Sequence, residues 1–246
     1  MDNITINLSE EDKMLFTEAV RNGLDKFGDY KMENPTVTRI GYTGTQWDYI
    51  NTECSDALPK SKFDIAVCSR GVWELILIYD KESKYLYTLM KDKRFEDLKK
   101  QLKKDKVHYL EAITKFNIKF WEESQEQGSF FADISEIKSE KIEKTIEQML
   151  KDINDDIEAH ILVTFTERKN ELFSISASIV TPTLNIIHTE KWNEYIQPKY
   201  DIVINNKTIE DLLNVEEEDI NLPLKETERL NNIDIKLKKN EKNKEE

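Results

Sequence analysis

Glycine and proline are scarce in this chain of 246 residues, with 6 and 5 occurrences, and cysteine occurs only 2 times. Two cysteines, Cys54 and Cys68, cannot build a disulfide framework or complete a four-ligand zinc site by themselves. Long apolar runs are missing too. The longest, Leu75 to Tyr79, falls far short of the ~20 residues a bilayer-spanning helix requires. The opening residues Met1-Asp2-Asn3-Ile4-Thr5 carry neither the basic start nor the apolar stretch of an export signal. The expectation is a reduced, cytoplasmic protein with no membrane association. Positive charge is also in deficit. A formal net charge of −13 disfavours a surface that binds nucleic acid indiscriminately, although a local basic patch can survive within it.

The common catalytic fingerprints are absent as well. The chain contains no G-x-x-x-x-G-K-[ST] phosphate loop, no G-x-G-x-x-G, no H-E-x-x-H and no G-x-S-x-G elbow. No cofactor is evident, and no set of metal ligands is assigned. What the sequence does hold is charge, at 35% of residues, and a hydrophobic fraction of 38%, enough for a core. The heavy use of Lys, Asn, Glu and Ile fits the codon bias of an AT-rich genome and suggests a bacterial or phage origin.

Hydrophobic periodicity organises the chain. Ser9 followed by Glu10, Glu11 and Asp12 is a helix start, a hydroxyl cap with carboxylates near the positive helix end. Met14, Leu15, Ala19, Val20, Leu24 and Phe27 recur at helical spacing, and Gly28 is expected to close the helix before a loop over Asp29–Thr38. Thr45 is expected to cap a second helix carrying Trp47, Ile50 and Cys54, ended by Pro59. Strands are expected over Phe63–Cys68, Val72–Tyr79 and Tyr85–Met90, joined by short loops and therefore antiparallel. Helices follow over Lys91–Lys104, His108–Glu123 and Ser139–Ile153. A second meander then runs through Ala159–Phe165, Phe173–Ile179 and Asn185–His188, before a short helix ending near Pro198.

The fold class expected is therefore α+β, with two antiparallel three-stranded meanders (about 63–90 and 158–189) flanked by helices. An α+β body is expected over 1–207, divisible into subdomains of about 1–125 and 129–207. The remainder, 208–246, with Glu216-Glu217-Glu218-Asp219 and a closing Lys/Asn/Glu run, is too polar to bury much and reads as a weakly structured tail. Because both halves read helix, meander, helix, an internal duplication is one hypothesis.

Several constellations merit weighing. Asp64 and Glu74, on neighbouring strands, would hold Mg2+ or Mn2+ and activate a water for phosphodiester attack if they converged. Such sites usually place a lysine two residues beyond the glutamate, and here that position is Ile76. Gly41 and Gly44, with Arg39 beside them, would present backbone N–H groups to an anion; a turn and cap use the same residues. The stretch Lys91–Lys106 is the one notably basic segment, and Lys93, Arg94, Lys100 and Lys104 could follow a nucleic-acid backbone. Interleaved acids make it equally a solvated helix face. His108 and Glu111 stand one turn apart, while His160 and His188 lack ligand spacing. Ser174, Ser176 and Ser178, with Thr164 and Thr166, form a face of small hydroxyls that leaves room for something to pack there.

The balance favours a non-enzymatic interaction or regulatory protein acting through a protein partner, with nucleic acid a less favoured partner. The alternative is a metal-dependent nucleic-acid-processing enzyme built on Asp64 and Glu74.

Overall fold

A computed structural model describes residues 5–70, 73–101, 107–120, 136–153 and 156–197. The acidic segment expected over 208–246, and Lys103, Lys104 and Lys106 of the basic stretch, lie outside these. The chain is α+β. Helix α1 spans Glu10–Glu33 and α2 Tyr42–Ala57; strands β1 (Phe63–Arg70), β2 (Trp73–Asp80) and β3 (Tyr85–Lys91) follow. Next come α3 (Asp92–Gln101), α4 (Tyr109–Ile113) with a 3-10 turn over Thr114–Asn117, and α5 (Glu136–Met149). Strands β4 (Ala159–Arg168), β5 (Glu171–Val180) and β6 (Ile186–Lys191) and a final 3-10 turn over Asn193–Tyr195 complete the order.

The two meanders form one 6-stranded sheet in the order β1-β2-β3-β4-β5-β6. Every neighbouring pair is antiparallel except β3 and β4, which run parallel from Tyr85↔Ala159 to Lys91↔Phe165. A parallel join needs a long crossover, and the segment carrying α3, α4 and α5 supplies it. Alternation of side chains then splits the core in two. On one face α1 and α2, through Phe16, Val20, Leu24 and Ile50, cover Ile78, Tyr87, Ile161, Val163 and Ile175. On the other, Phe95, Leu98, Leu110, Ile113 and Met149 cover Leu77, Leu86, Leu162 and Val180. The halves thus share strand order but not helix placement: the helices before β1 lie on one face and the helix before β4 on the other, which a simple duplication would not produce.

Phe16 anchors α1 across the sheet, with ring centroids 5.9 Å from Phe63, 5.3 Å from Tyr87 and 5.9 Å from Trp192. Gly23 lets α1 and α2 approach closely. A Cβ there would lie 2.6 Å from the Ile50 Cα, so the usual cost of a helical glycine secures the contact between the two helices. Ser9 caps α1 as expected, its hydroxyl accepting from the Asp12 N–H at 3.2 Å. The helix does not stop at Gly28. It runs to Glu33, where Asn34 caps it and Pro35 forbids continuation. Packing explains the difference: Phe27 meets Tyr42 of α2 edge-on at 5.8 Å, and Tyr30 meets Tyr49 at 6.0 Å. Among the described residues no helix is long and apolar enough to cross a membrane.

Candidate functional site

β2 and β3 pair only over Ile78↔Tyr87, Tyr79↔Leu86 and Asp80↔Tyr85. Beyond those pairs β2 stays with β1 as far as Arg70↔Trp73, and β3 stays with β4 as far as Lys91↔Phe165. The sheet therefore opens between its second and third strands. A cavity of about 500 Å³ fills the opening. Its strand walls are Trp73, Glu74, Leu75 and Ile76 on one side and Leu89, Met90 and Lys91 on the other. Thr43, Trp47 and Asn51 close it from α2, and Arg94, His108 and Tyr109 from the opposite face of the sheet.

Charged side chains stand where the strands part. Continuing the register from Ile78↔Tyr87 would set Glu74 opposite Lys91, an ideal cross-strand ion pair. Neither side chain takes that partner. Glu74 accepts from the Ser69 hydroxyl at 3.0 Å, on the β1 side. Lys91 donates to Glu167 Oε1 at 2.8 Å, on the β4 side, and to Gln46 of α2. Gln46 donates in turn to Glu167 Oε2 at 2.6 Å, closing a triad that fixes the Lys91 ammonium. Arg94 is exposed on α3 and has no acidic partner among the described residues. Trp47 is steadied by Phe165, 5.7 Å away edge-on, whereas Trp73 is 52% exposed at the lip.

The structure separates the two carboxylates that the sequence invited together. Asp64 sits opposite Tyr79, but Glu74 sits opposite Ser69, five residues further along β2, or roughly 17 Å at the rise of a strand. Asp64 is also spent on Lys81, at 2.8 Å. The pair cannot grip one cation. Among the described residues no three His, Cys, Asp or Glu side chains gather as metal ligands. Glu74 reaches the cavity alone.

The other predicted residues fall in different places. Gly41 is the N-cap of α2 and Gly44 lies inside its first turn, with Thr45 donating back to the Gly41 carbonyl at 3.2 Å. The expected cap at Thr45 is thus one turn too late, and the two glycines do not form a loop before the helix. Arg39 is exposed in the α1–α2 connection. Lys93 and Lys100 are exposed on α3, whose Phe95 and Leu98 are buried; of the basic residues there, Arg94 alone reaches the cavity. His108 and Glu111 form a capping box on α4, His108 Nδ1 accepting from the Leu110 N–H at 3.2 Å and Glu111 accepting from the His108 N–H at 2.9 Å. His188 Nε2 lies 3.5 Å from Glu190. His160 is wholly buried beside the Thr88 hydroxyl, 2.9 Å from Nε2, and burial pushes its pKa down to about 3. Burial pushes the Cys54 thiol up to about 12, leaving it inert.

The α1–α2 connection carries a second feature, which the loop assignment passed over. Met32, Val37 and Ile40 are 76%, 105% and 91% exposed. Met32 stands on the last turn of α1, and the loop that presents Val37 and Ile40 is tied down: the Thr36 hydroxyl donates to Tyr42 Oη at 3.0 Å, and Tyr42 donates to the Asn34 carbonyl at 3.4 Å. Its only sequence signal was three apolar residues between polar ones, without periodicity.

The model of a family described as "Family of unknown function (DUF5986)" matches residues 4–246, and the chain belongs to that family. No curated protein and no solved structure matches the chain.

Proposed function

We propose that this is a non-enzymatic interaction or regulatory protein that engages a protein partner through the α1–α2 loop. The observation that carries the reading is the display of Val37 and Ile40 to solvent from a loop tied to Tyr42, with Met32 exposed on the last turn of α1 just before it. Large apolar side chains displayed close together in sequence outside the core are candidates for a contact surface, and a loop ordered beforehand loses less entropy on docking. Arg39, between Val37 and Ile40, supplies the charged rim that such surfaces carry. The acidic segment over 208–246 is a second candidate contact for the same partner.

The test is a tagged pull-down from the source cell with the full chain, the Val37→Asp/Ile40→Asp variant and a chain ending at residue 207. One stoichiometric protein, lost with the loop variant while circular dichroism is unchanged, is the expected result. Equal capture by the loop variant would remove the loop from the interface; loss only on truncation would move the contact to the tail.

The nucleic-acid-processing alternative survives only in altered form, on Glu74, which faces the cleft that Lys91 and Arg94 also line. Mg2+- or Mn2+-dependent cleavage abolished by Glu74→Gln would favour it over the interaction reading.

A further inference from the structure

The β2–β3 cleft has a chemistry of its own, independent of the α1–α2 loop. We propose that it binds a free mononucleotide, with the base among the cleft's aromatic side chains and the phosphate on Arg94.

Size is the first argument. A cavity of about 500 Å³ falls in the range of roughly 300–1,000 Å³ typical of small-molecule sites. The walls are the second. Trp47 and Trp73 line it together with the His108–Tyr109 ring pair, whose centroids lie 4.4 Å apart. Flat rings offer a base stacking surfaces at low entropic cost. Trp73 is the one ring free to close down, because it is half exposed at the lip while Trp47 is wedged against Phe165.

The polar groups select the ligand further. Lys91 is already paired with the Glu167 carboxylate and donates to the Gln46 carbonyl, so it has little charge to offer. Arg94 has no such partner among the described residues, and its planar fork matches phosphate oxygens. Glu74 accepts one hydrogen bond, from Ser69, which leaves acceptor capacity for an N–H donor on the edge of a base. An aliphatic ligand would bury both charged groups unanswered. A nucleic-acid strand is disfavoured by the formal net charge of −13, which repels a polyanion far more than a single nucleotide.

Isothermal titration of the purified full chain with ATP, GTP, AMP, GMP, adenosine and guanosine tests the proposal. At least one purine nucleotide should bind saturably in the micromolar range. Arg94→Ala should weaken that nucleotide about tenfold or more yet leave the matching nucleoside unchanged. Trp73→Ala should weaken both. Both residues are exposed, so the variants should fold, as circular dichroism would verify. No saturable binding at millimolar nucleotide would overturn the proposal. So would binding that survives both substitutions, or tighter binding of a single-stranded oligonucleotide than of any mononucleotide. None of these results bears on the pull-down, which reads the loop.

Discussion

β4 and β5 stay in register from Ile161↔Ile179 to Arg168↔Glu171 with a single irregularity, whereas β2 and β3 part after three pairs. Both hairpins turn through residues of positive φ, Lys84 at 58° in one and Lys169 at 53° with Asn170 at 66° in the other. The turns therefore do not account for the difference; it arises further along the strands. In the second meander the facing residues are small and hydrogen-bonded, with Thr164 and Ser176 hydroxyls 3.2 Å apart and Ser178 and Thr189 2.9 Å apart. In the first, the residues that would extend the ladder are tied to the outer strands. One half of the sheet is closed for stability, and the other is held open at a cavity.

Asn117 ties together the strand ends of the closed half. Its side-chain amide donates to the carbonyls of His160 at 2.8 Å and Val180 at 2.9 Å and accepts the His160 N–H at 2.8 Å. It stands in for the ladder bonds where β4 begins and β5 ends. Asn117→Ala should cost about 3 kcal/mol or more, since each buried backbone group left unpaired costs roughly 1–3 kcal/mol. Urea unfolding measures this, and a loss below 1 kcal/mol would mean that the strand ends close without it.

The next effect is a pH dependence in the same half. His160 is neutral in the fold because burial depresses its pKa from the ordinary 6.5 to about 3. The unfolded chain takes up a proton below about 6.5 while the folded chain does not. Stability is therefore fully present above that pH and declines as pH falls towards 3, by up to ~1.4 kcal/mol per unit. His160→Gln should flatten this slope. An unchanged slope in the variant would assign the acid sensitivity to carboxylates instead.

Much of the closed half was legible in sequence, because Ala159, Ile161, Val163 and Phe165 alternate cleanly and Phe173, Ile175, Ala177 and Ile179 answer them. β4 is buried on both faces, and its apolar alternation marked the face covered by α1 and α2, where Ile161, Val163 and Phe165 lie. In the open half the three strands were legible, since β1, β2 and β3 fall within two residues of the expected bounds, but the opening between β2 and β3 was not. Lys91 read as the start of a helix, whereas it ends β3 and finds its partners on β4 and α2, residues distant in sequence. Asp64 and Glu74 lie on adjacent strands, and only the register reveals that they lie far apart along them. Hydrophobic pattern carries no register between strands, and cavities form where register ends. The parallel join of β3 to β4 was hidden for the same reason.

Ser176→Arg sharpens the comparison at smaller scale. Ser176 is half-buried opposite Thr164, and a long cation there should cost about 1–2 kcal/mol by overpacking. Val67→Arg, on the exposed edge strand of the open half, should stay within about 0.5 kcal/mol. Equal melting temperatures for the two variants would show the hydroxyl face to be as open as the edge.

The smallest effect on stability should come from Glu167→Gln, and it tests why the sheet opens at all. The substitution keeps the shape of the side chain but removes the countercharge 2.8 Å from Lys91. The nearest charge across the strand gap is then Glu74, the residue the interrupted register would have set opposite. A partly exposed ion pair is worth about 0.2–1 kcal/mol, so global stability should barely move. The local consequence should be larger: Lys91 turns towards Glu74, β2 and β3 zip further, and backbone amides over 74–77 and 88–91 exchange more slowly with solvent deuterium. Adding Glu74→Gln should restore the fast exchange, because the new attraction needs both charges. If exchange in the cleft is the same in all three proteins, the opening is held by packing of Trp47 and Trp73 rather than by charge.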